Sequence, residues 1–411
     1  MQIAVINLFD PLPGEDAREA RYATFCRVLA EAGHDVTWYT SDFSHLFKAR
    51  RDTKVIQAAA SKIGYRVVFA QGQSYRKNVC PGRLRNHRQV TRQFAQRWSR
   101  EANSHDVVLV SLPPPGLAEA AECWARRIGA KLVLDVQDIW PETFKRFWPS
   151  GLNWLHGVVF GGMTRSAYRT YPWADAVLGV AEEYVRHSDR WRRPDAFTAV
   201  LHLGVDLAAF DNAVQPLETI PIHKSAGEKW IFVSGSLGAY VDQEAILRLM
   251  ESLRQRDRDD VRMIVVGSGP AEASLRNRLR RFGLLDTSVR VMGRVTYETY
   301  ASLAAASEIG FLPLKPESHV FFPNRVFQYF AAGLPVLNTV DGELASVLAE
   351  HDAGRTVSPM DTTGLADATE MLLETSASSK NIFPQRRGRW IDAYDRRSIA
   401  EKLLVLIEKL S

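Results

Sequence analysis

Cysteine is scarce in this 411-residue chain, which contains only Cys26, Cys80 and Cys123. The three residues are far apart, and no two of them have the spacing of metal ligands. Neither a disulfide framework nor a zinc site is therefore expected. Small buried thiols in a reducing compartment explain the cysteines better.

Long hydrophobic runs are also absent. No uninterrupted apolar stretch approaches the ~20 residues that a helix needs to span a bilayer. The strand-like segment at residues 1–8 is too short for a signal peptide. The sequence thus predicts a cytoplasmic protein whose membrane contact is peripheral. Its length favours two domains, and its 46% hydrophobic and 24% charged residues are typical of a globular protein.

A complete glycine fingerprint for dinucleotide binding is missing. Gly267-Ser-Gly-Pro270 follows a strand-like run, but the third glycine of G-x-G-x-x-G would be residue 272, which is Glu272. The first strand-to-helix turn, at residues 7–15, lacks the pattern as well. Both observations argue against an NAD-dependent oxidoreductase.

Acidic residues are nearly absent between residues 48 and 100. This segment has one acid, Asp52, against fourteen Lys or Arg residues, a net charge of +13, whereas the whole chain carries +5. Such a charge favours an anionic partner, either lipid head groups or a lipid diphosphate. No nucleic-acid-binding motif accompanies it, so nucleic acid is not an expected partner. The cations expected to face a membrane or a lipid phosphate are Arg76, Lys77, Arg83, Arg85 and Arg88.

Short apolar strands alternate with helical stretches along both halves of the chain. Runs such as residues 107–112 and 131–136 have no polar face, which is typical of a parallel sheet covered on both sides. The alternation predicts an α/β fold with two doubly wound, Rossmann-like domains. We expect them over residues 1–210 and 211–388, with a linker at 211–228. The sequence leaves open whether the helix in 389–411 ends the second domain or crosses back to the first.

The most informative stretch is Phe322-Pro-Asn-Arg-Val-Phe-Gln-Tyr-Phe-Ala-Ala-Gly-Leu-Pro-Val336. It resembles the nucleotide-sugar-binding motif of retaining GT-B glycosyltransferases of the family-4-like, bacterial polysaccharide and lipid-linked oligosaccharide type. The resemblance implies two Rossmann-like domains facing across a cleft. It also implies a donor diphosphate at the helix start near Pro323, beside Asn324 and Arg325, where free N–H groups and the helix dipole favour negative charge. A helix that merely packs is the alternative.

Two positions depart from the family pattern. Gln328 stands where the family has a ribose-binding Glu, and Val320 stands where a second Glu touches the transferred sugar. An amide oxygen can accept a hydrogen bond but carries no charge. Glu317 is a candidate substitute for the missing carboxylate. Because of these two departures, a catalytically degenerate protein that only binds its ligand remains an alternative.

A second donor element follows a strand at Ser234-Gly-Ser-Leu-Gly238. It resembles the family's glycine-rich turn, in which backbone amides approach phosphate. The donor-binding residues expected from it are Gly235, Ser236 and Gly238. The family's Arg and Lys of this region are absent, and Arg294 and Lys315 are candidate replacements. A plain strand-to-helix turn is the alternative.

In the first half, a predicted strand is followed by the stretch Asp135-Val-Gln-Asp-Ile-Trp-Pro-Glu-Thr-Phe144. It resembles the Asp-x-x-Asp-x-Trp-Pro-Glu element of a branch of the family. The resemblance places Asp138 beside the reacting sugar, where it would orient the acceptor or act as its base. Trp140 and Glu142 would line the acceptor site. The alternative is that Asp138 or Asp135 caps the helix that follows.

The loop after the first strand, at residues 9–16, is used by the family near the acceptor and donor phosphates. Gly14 is the candidate for close backbone approach, with Glu15, Arg18 and Arg21 as further candidates. An exposed helix face is the alternative for these three charged residues.

An aromatic-rich segment at residues 144–160 includes Trp148 and Trp154. Tryptophans together with basic residues are typical of an interfacial helix, and a buried core helix is the alternative. With the basic segment, the pattern favours a peripheral location at the inner face of the plasma membrane.

The family resemblance, together with the basic segment, implies a retaining, metal-independent hexosyltransferase. It would move a sugar from a UDP- or GDP-sugar to a membrane-linked, undecaprenyl-diphosphate-saccharide acceptor in cell-surface polysaccharide synthesis. The nucleotide-sugar is a substrate, so no cofactor is expected, and no Asp-x-Asp or His cluster is placed to hold a metal. The rivals are a nucleotide-sugar epimerase on the same fold and the degenerate binding protein.

Overall fold

The computed structural model describes residues 1–78, 80–100, 105–147, 153–318, 320–378 and 387–410. The chain divides into two compact units. The first comprises Met1–Leu203 and Arg396–Ser411, and the second comprises Gly204–Asp395. Each unit has its own parallel sheet, so the predicted pair of doubly wound sheets is confirmed.

Fifteen strands are described. They are β1 (Gln2–Ile6), β2 (Asp35–Ser41), β3 (Phe43–Ser44), β4 (Ala49–Arg50), β5 (Arg66–Ala70), β6 (Val107–Leu112), β7 (Lys131–Val136), β8 (Ala176–Gly179), β9 (Phe197–Val200), β10 (Lys229–Ser234), β11 (Val261–Val266), β12 (Val289–Gly293), β13 (Ile309–Leu312), β14 (Val336–Asn338) and β15 (Gly354–Thr356). The first sheet has the order β5-β2-β1-β6-β7-β8-β9 and the second β12-β11-β10-β13-β14-β15. All pairings within both sheets are parallel.

Fourteen α-helices are described. They are α1 (Arg21–Glu31), α2 (Thr53–Ile63), α3 (Pro81–Arg100), α4 (Pro115–Ile128), α5 (Asn153–Thr170), α6 (Glu182–Ser188), α7 (Leu207–Ala213), α8 (Gln243–Gln255), α9 (Glu272–Arg281), α10 (Tyr297–Ala305), α11 (Val326–Ala331), α12 (Glu343–Glu350), α13 (Thr362–Ser378) and α14 (Arg396–Leu410). In the part of the chain that the structure describes, no helix combines the length and apolar character needed to cross a membrane.

Alternate residues of β1 enter two separate cores. Ile3 and Val5 pack in one with α1 and α14, whereas Ala4 and Ile6 pack in the other with α3 and α4. Successive side chains of a strand point to opposite faces, so a strand buried on both sides lacks a polar face. Burial on both faces of the sheet therefore explains the apolar runs in the sequence, as predicted.

The last helix belongs to the first unit. Ile399, Leu403 and Ile407 lie four residues apart on one face of α14 and are buried in the same core as residues of α1. The short 3₁₀ segment Arg389–Tyr394 before it is part of the second unit.

Local signals fix where individual helices begin and end. The Asp52 carboxylate accepts hydrogen bonds from the backbone N–H groups of Lys54 and Val55 at the start of α2, and Gly64 ends that helix with φ +107°. Asp242 caps α8 in the same way through the N–H of Ala245. These caps satisfy N–H groups that have no partner within the helix.

Candidate active site

In the second unit, the turns at the carboxyl ends of three neighbouring strands are bonded to one another. The N–H of Gly235, after β10, donates to the carbonyl of Val266 at 3.0 Å, and the N–H of Gly267, after β11, donates to the carbonyl of Gly293 at 2.7 Å. Carboxyl ends of parallel strands are the usual ligand site of such a sheet. The predicted glycine-rich turn, Ser234–Gly238, lies at this edge.

The Gly267–Pro270 turn supports the glycine-rich turn by close backbone contact. A Cβ atom on Gly267 would lie 2.0 Å from the carbonyl oxygen of Gly235, and one on Gly269 would lie 2.4 Å from that of Leu237. Only glycine permits such an approach. The two glycines that resemble part of a dinucleotide fingerprint therefore have a packing explanation.

Arg325 lies directly against this turn. Its guanidinium carbon is 3.1 Å from the position that a Cβ atom would occupy on Gly235. Its Nη1 atom is buried and has no hydrogen-bond partner, and no carboxylate of the described residues forms an ion pair with it. Buried charges normally have partners, so the arrangement is suited to binding an anion.

Tyr329, four residues after Arg325, is anchored to the same turn. It is fully buried, and its hydroxyl accepts a hydrogen bond from the N–H of Ser234 at 2.9 Å and donates to the carbonyl of Phe311 at 3.2 Å. Burial raises the pKa of this phenol, so it stays protonated. Residues four apart share a face of a helix, and anchoring Tyr329 beneath the turn therefore directs Arg325 towards it.

The remaining predicted donor residues differ in their surroundings. The Oε1 atom of Gln328 accepts a hydrogen bond from the Tyr297 hydroxyl at 3.2 Å, so the atom expected to meet a ribose hydroxyl already has one protein donor. Arg294 is exposed and follows Gly293 directly. Asn324, Ser236 and Glu317 are exposed, and Gly238 and Val320 are half-buried.

Lys315 and Glu317 lie at the carboxyl end of β13, beside β10. The N–H of Lys315 donates to the carbonyl of Tyr240 at 2.9 Å. This bond ties the segment to the residues that follow the glycine-rich turn. Both side chains are exposed.

In the first unit, Asp135 forms a buried ion pair that sequence reasoning missed. Its carboxylate oxygens lie 2.9 and 3.2 Å from nitrogens of Arg21, and it accepts a hydrogen bond from the Tyr22 hydroxyl at 2.8 Å. Arg21 also donates to the carbonyls of Leu201 and His202. Desolvation, together with the Asp135 charge, raises the pKa of Tyr22 well above its usual value. Asp135 thus joins β7 to α1 and does not cap a helix.

Asp138 is engaged within its own turn at the carboxyl end of β7. One carboxylate oxygen accepts from the N–H of Ile139 at 2.9 Å and from the Thr143 hydroxyl at 2.5 Å, and the other accepts from Trp140 Nε1 at 2.9 Å. A helix-capping carboxylate accepts from backbone N–H groups two or three residues further on, so these bonds stabilise the turn and are not those of a helix cap. The catalytic role of Asp138 stays a prediction.

Trp140 lies in an aromatic and basic cluster with Phe9, Arg83 and His87. The Arg83 guanidinium lies 4.7 Å from the Trp140 ring centroid and 5.1 Å from that of Phe9. Burial lowers the pKa of Arg83, and burial together with the Arg83 charge lowers the pKa of His87 to about 3. Arg83, predicted as a surface cation, is therefore half-buried against Trp140. His45, which sequence reasoning did not select, lies 5.3 Å from Phe9.

The loop after β1 is held by its own contacts. Gly14 has φ +86°, and a Cβ atom there would lie 3.1 Å from the side chain of Val55 on α2. Glu15 accepts a hydrogen bond from the N–H of Leu12 at 2.7 Å and lies 3.6 Å from Arg51. Arg18 is exposed. Gly14 thus has a turn and packing explanation, and its predicted role in phosphate approach stays a prediction.

Glu142 is positioned by α5. Its Oε1 atom accepts a hydrogen bond from the Tyr168 hydroxyl, whereas its Oε2 atom is buried and has no partner within the described ranges. Across the described ranges, no group of three or more His, Cys, Asp or Glu side chains is arranged to hold a metal ion.

The residues predicted to face a membrane are mostly exposed. Arg76, Lys77, Arg85 and Arg88 are exposed, as is 71% of the Trp154 side chain on α5. Trp148 lies outside the described residues. The exposure of Trp154 fits the interfacial alternative better than a core helix.

Family models match both halves of the chain. Residues 19–209 match the model described as Glycosyltransferase Family 4, and residues 228–375 match the model described as Glycosyl transferases group 1. No curated protein sequence matches the chain significantly.

Solved structures with the same fold cover nearly the whole chain. Anabaena Alr3699/HepE in complex with UDP is 15% identical over all of both chains, with a TM-score of 0.67, and further HepE structures contain UDP with glucose or UDP-glucose. WaaG, a glycosyltransferase involved in lipopolysaccharide biosynthesis, is 15% identical over 98% of this chain and 99% of its own, with a TM-score of 0.61.

A Listeria monocytogenes protein assigned as a UDP-N-acetylglucosamine 2-epimerase is 13% identical over 99% of this chain and 95% of its own, with a TM-score of 0.58. At these identities the likeness of the structures establishes the fold. The family models add the class of enzyme, since each half of the chain matches a glycosyltransferase model. The chain therefore belongs to the glycosyltransferases of the GT-B fold.

Proposed function

We propose that the chain is a retaining glycosyltransferase whose second unit holds a UDP- or GDP-sugar donor. The observation that carries this proposal is Arg325, which lies against the backbone of Gly235 and whose buried Nη1 atom has no hydrogen-bond partner among the described residues. A diphosphate would supply the missing partner through a charge-assisted hydrogen bond. The complexes of HepE with UDP and UDP-glucose support a donor of this class.

The same arrangement would assist departure of the nucleoside diphosphate. Negative charge grows on the leaving phosphate as the bond to the sugar breaks, and a preorganised cation stabilises it. Arg325 is the proposed cation for this step, with the exposed Arg294 and Lys315 as further ones. The proposed reaction needs no metal and no cofactor, and transfer should therefore survive a chelator.

The proposed acceptor is a membrane-linked saccharide, an undecaprenyl-diphosphate saccharide of cell-surface polysaccharide synthesis, which the first unit would bind at the inner face of the plasma membrane. Exposed cations on α3, among them Arg85 and Arg88, support an anionic partner. The involvement of WaaG in lipopolysaccharide biosynthesis supports a carbohydrate acceptor on a lipid. We propose that Asp138, Trp140 and Glu142 line the acceptor site, with Asp138 as the candidate base.

A thermal-shift panel of UDP-, GDP- and dTDP-sugars tests the donor class. We expect one nucleotide series to raise the melting temperature of the wild-type protein and to have much less effect on Arg325→Gln. If no nucleotide-sugar of the panel changes the melting temperature, a degenerate binding protein would be favoured. Anomeric configuration of the product, read by proton NMR, then tests retention.

A nucleotide-sugar epimerase is the second candidate, favoured by the likeness to the Listeria monocytogenes structure. An epimerase needs no acceptor. Incubation of the identified donor alone, followed by chromatography of the sugar, separates the two functions. Conversion of the sugar without any acceptor would support the epimerase.

A further inference from the structure

A groove of 660 Å³ opens on the first unit between α3, the start of α4 and α5. Its volume is within the range of about 300–1,000 Å³ that is usual for small-molecule sites. The lining is mainly apolar and includes Leu84, Leu117, Trp140, Val159, Phe160 and Met163. The groove therefore suits a hydrocarbon ligand better than a free sugar.

The α3 side of the groove adds cations. Arg88 and Arg92 line it, are exposed and lie one helical turn apart. In the part of the chain that is described, neither guanidinium has an ion pair or a hydrogen bond. His87 lines the groove as well and is 6% exposed, and no described residue forms a hydrogen bond with its buried Nε2 atom. The groove thus combines an apolar interior with unpaired donors for an anion.

The apolar lining continues onto the surface of α5. Val159 lines the groove and is 54% exposed, and the neighbouring Val158 and Trp154 are 74% and 71% exposed. Exposed apolar surface of this kind marks an interaction site. A chain that leaves the groove along α5 would meet apolar side chains and not water.

We propose that this groove binds the isoprenoid chain of a polyprenyl-diphosphate-linked acceptor, with the diphosphate at Arg88 and Arg92. The proposal rests on the proposed function and names the lipid of its acceptor. Two adjacent cations match the two phosphates of a diphosphate. A single groove can hold the one hydrocarbon chain of an isoprenoid, whereas a phospholipid has two acyl chains.

Two glycines of α5 provide a matched pair of variants. Gly162 lines the groove and its neighbour Gly161 does not. A Cβ atom added at either position would have no neighbour within 4 Å. Leucine also favours a helix over glycine at both positions. Gly162→Leu should therefore fill the groove in a folded protein, and Gly161→Leu is its control.

The test is calorimetric titration of the full chain with farnesyl diphosphate, inorganic pyrophosphate and farnesol. We expect farnesyl diphosphate to bind at least about tenfold more tightly than either fragment, because each fragment lacks half of the contacts. Gly162→Leu should remove most of that advantage and Gly161→Leu should keep it. The double variant Arg88→Gln, Arg92→Gln should bind farnesyl diphosphate and pyrophosphate more weakly. Its affinity for farnesol should be unchanged.

Equal affinities for pyrophosphate and farnesyl diphosphate would overturn the proposal, as would full affinity in Gly162→Leu. Loss of sedimentation with phosphatidylglycerol vesicles in Gly162→Leu, with farnesyl diphosphate binding unchanged, would assign the groove to phospholipid and overturn it too. If farnesyl diphosphate does not bind but nucleotide-sugars raise the melting temperature, only the assignment of the groove would be refuted. Failure of both would refute the proposed function as well.

Discussion

The guanidinium carbon of Arg325 lies 3.1 Å from the position that a Cβ atom would occupy on Gly235. This contact brings a cation from the start of α11 against the turn that follows β10. Gly235 also has φ +108°, a backbone conformation that other residues rarely adopt. Tyr329, four residues further on, is bonded to Ser234 at the start of the same turn, and among the described residues the Nη1 atom of Arg325 has no hydrogen-bond partner.

Gly235→Ala should disrupt this contact. We expect a loss of stability of about 1–2 kcal/mol from the strained backbone and a loss of UDP affinity of at least about tenfold, because Arg325 must move. Gly283→Ala is the control, since Gly283 has φ +65° and open space around its Cβ position. It should show the strain without the loss of affinity. Equal UDP affinities of the two variants would contradict the account.

Much of the fold and part of the site were predictable from the sequence. The apolar runs of β6 and β7 predicted a sheet covered on both sides, and the resemblance of the glycine-rich turn and the Arg325 stretch to glycosyltransferase donor motifs implied two elements of one donor site. Both depend on short-range patterns, which a sequence displays directly.

Long-range pairing was not predictable in the same way. Arg21 and Asp135 are 114 residues apart, and nothing in either segment indicates that they form a buried ion pair. His45 and Arg83 likewise meet Phe9 only through the arrangement of β1, β2 and α3. A single sequence carries no signal for such contacts. The side of the molecule on which α14 packs was left open for the same reason.

Asp138→Asn tests the proposed catalytic carboxylate. We expect kcat to fall about 100-fold, the effect of losing a general base, with the KM for the donor nearly unchanged. Thr143→Val, which removes one of the three donors to Asp138, should keep most of the activity. Equal losses in both variants would assign Asp138 to building the turn only.

The half-buried His45 and the buried His87 should make the stability of the first unit fall in acid. Burial, with the nearby Arg83 charge, lowers the pKa values of His45 and His87 to about 3. An unfolded histidine has a pKa of about 6.5. Between these values the unfolded chain binds more protons, so the free energy of unfolding decreases as the pH falls from about 6.5 towards 3.

Hydrogen exchange of α3 peptides between pH 7 and pH 4 measures this effect. At the acid end, His87 alone should contribute a slope of about 1.4 kcal/mol per pH unit. His87→Gln should reduce the slope, whereas replacement of the exposed His223 in the second unit should not. A slope that is unaffected by His87→Gln would show that His87 is not buried as a neutral group.

Trp154 should contribute to membrane binding. The wild-type protein is expected to sediment with phosphatidylglycerol vesicles at low salt and to be released by salt, which screens the cations of α3. Trp154→Ser should weaken sedimentation about tenfold, because an exposed apolar contact is lost. Trp173→Ser is the control, since Trp173 is 46% exposed outside α5. Equal sedimentation of both variants would remove Trp154 from the interface.

The most direct test of the donor site is calorimetric titration of UDP into wild-type protein, Arg325→Gln and the surface control Arg281→Gln. Hydrogen bonds to a charged group are worth about 1.5–3 kcal/mol, so we predict a Kd about 10- to 100-fold higher for Arg325→Gln. Its melting temperature should be unchanged, because Arg325 Nη1 has no protein partner to lose. Arg281→Gln should bind like the wild type. Unchanged UDP affinity in a folded Arg325→Gln protein would contradict the assignment of this site.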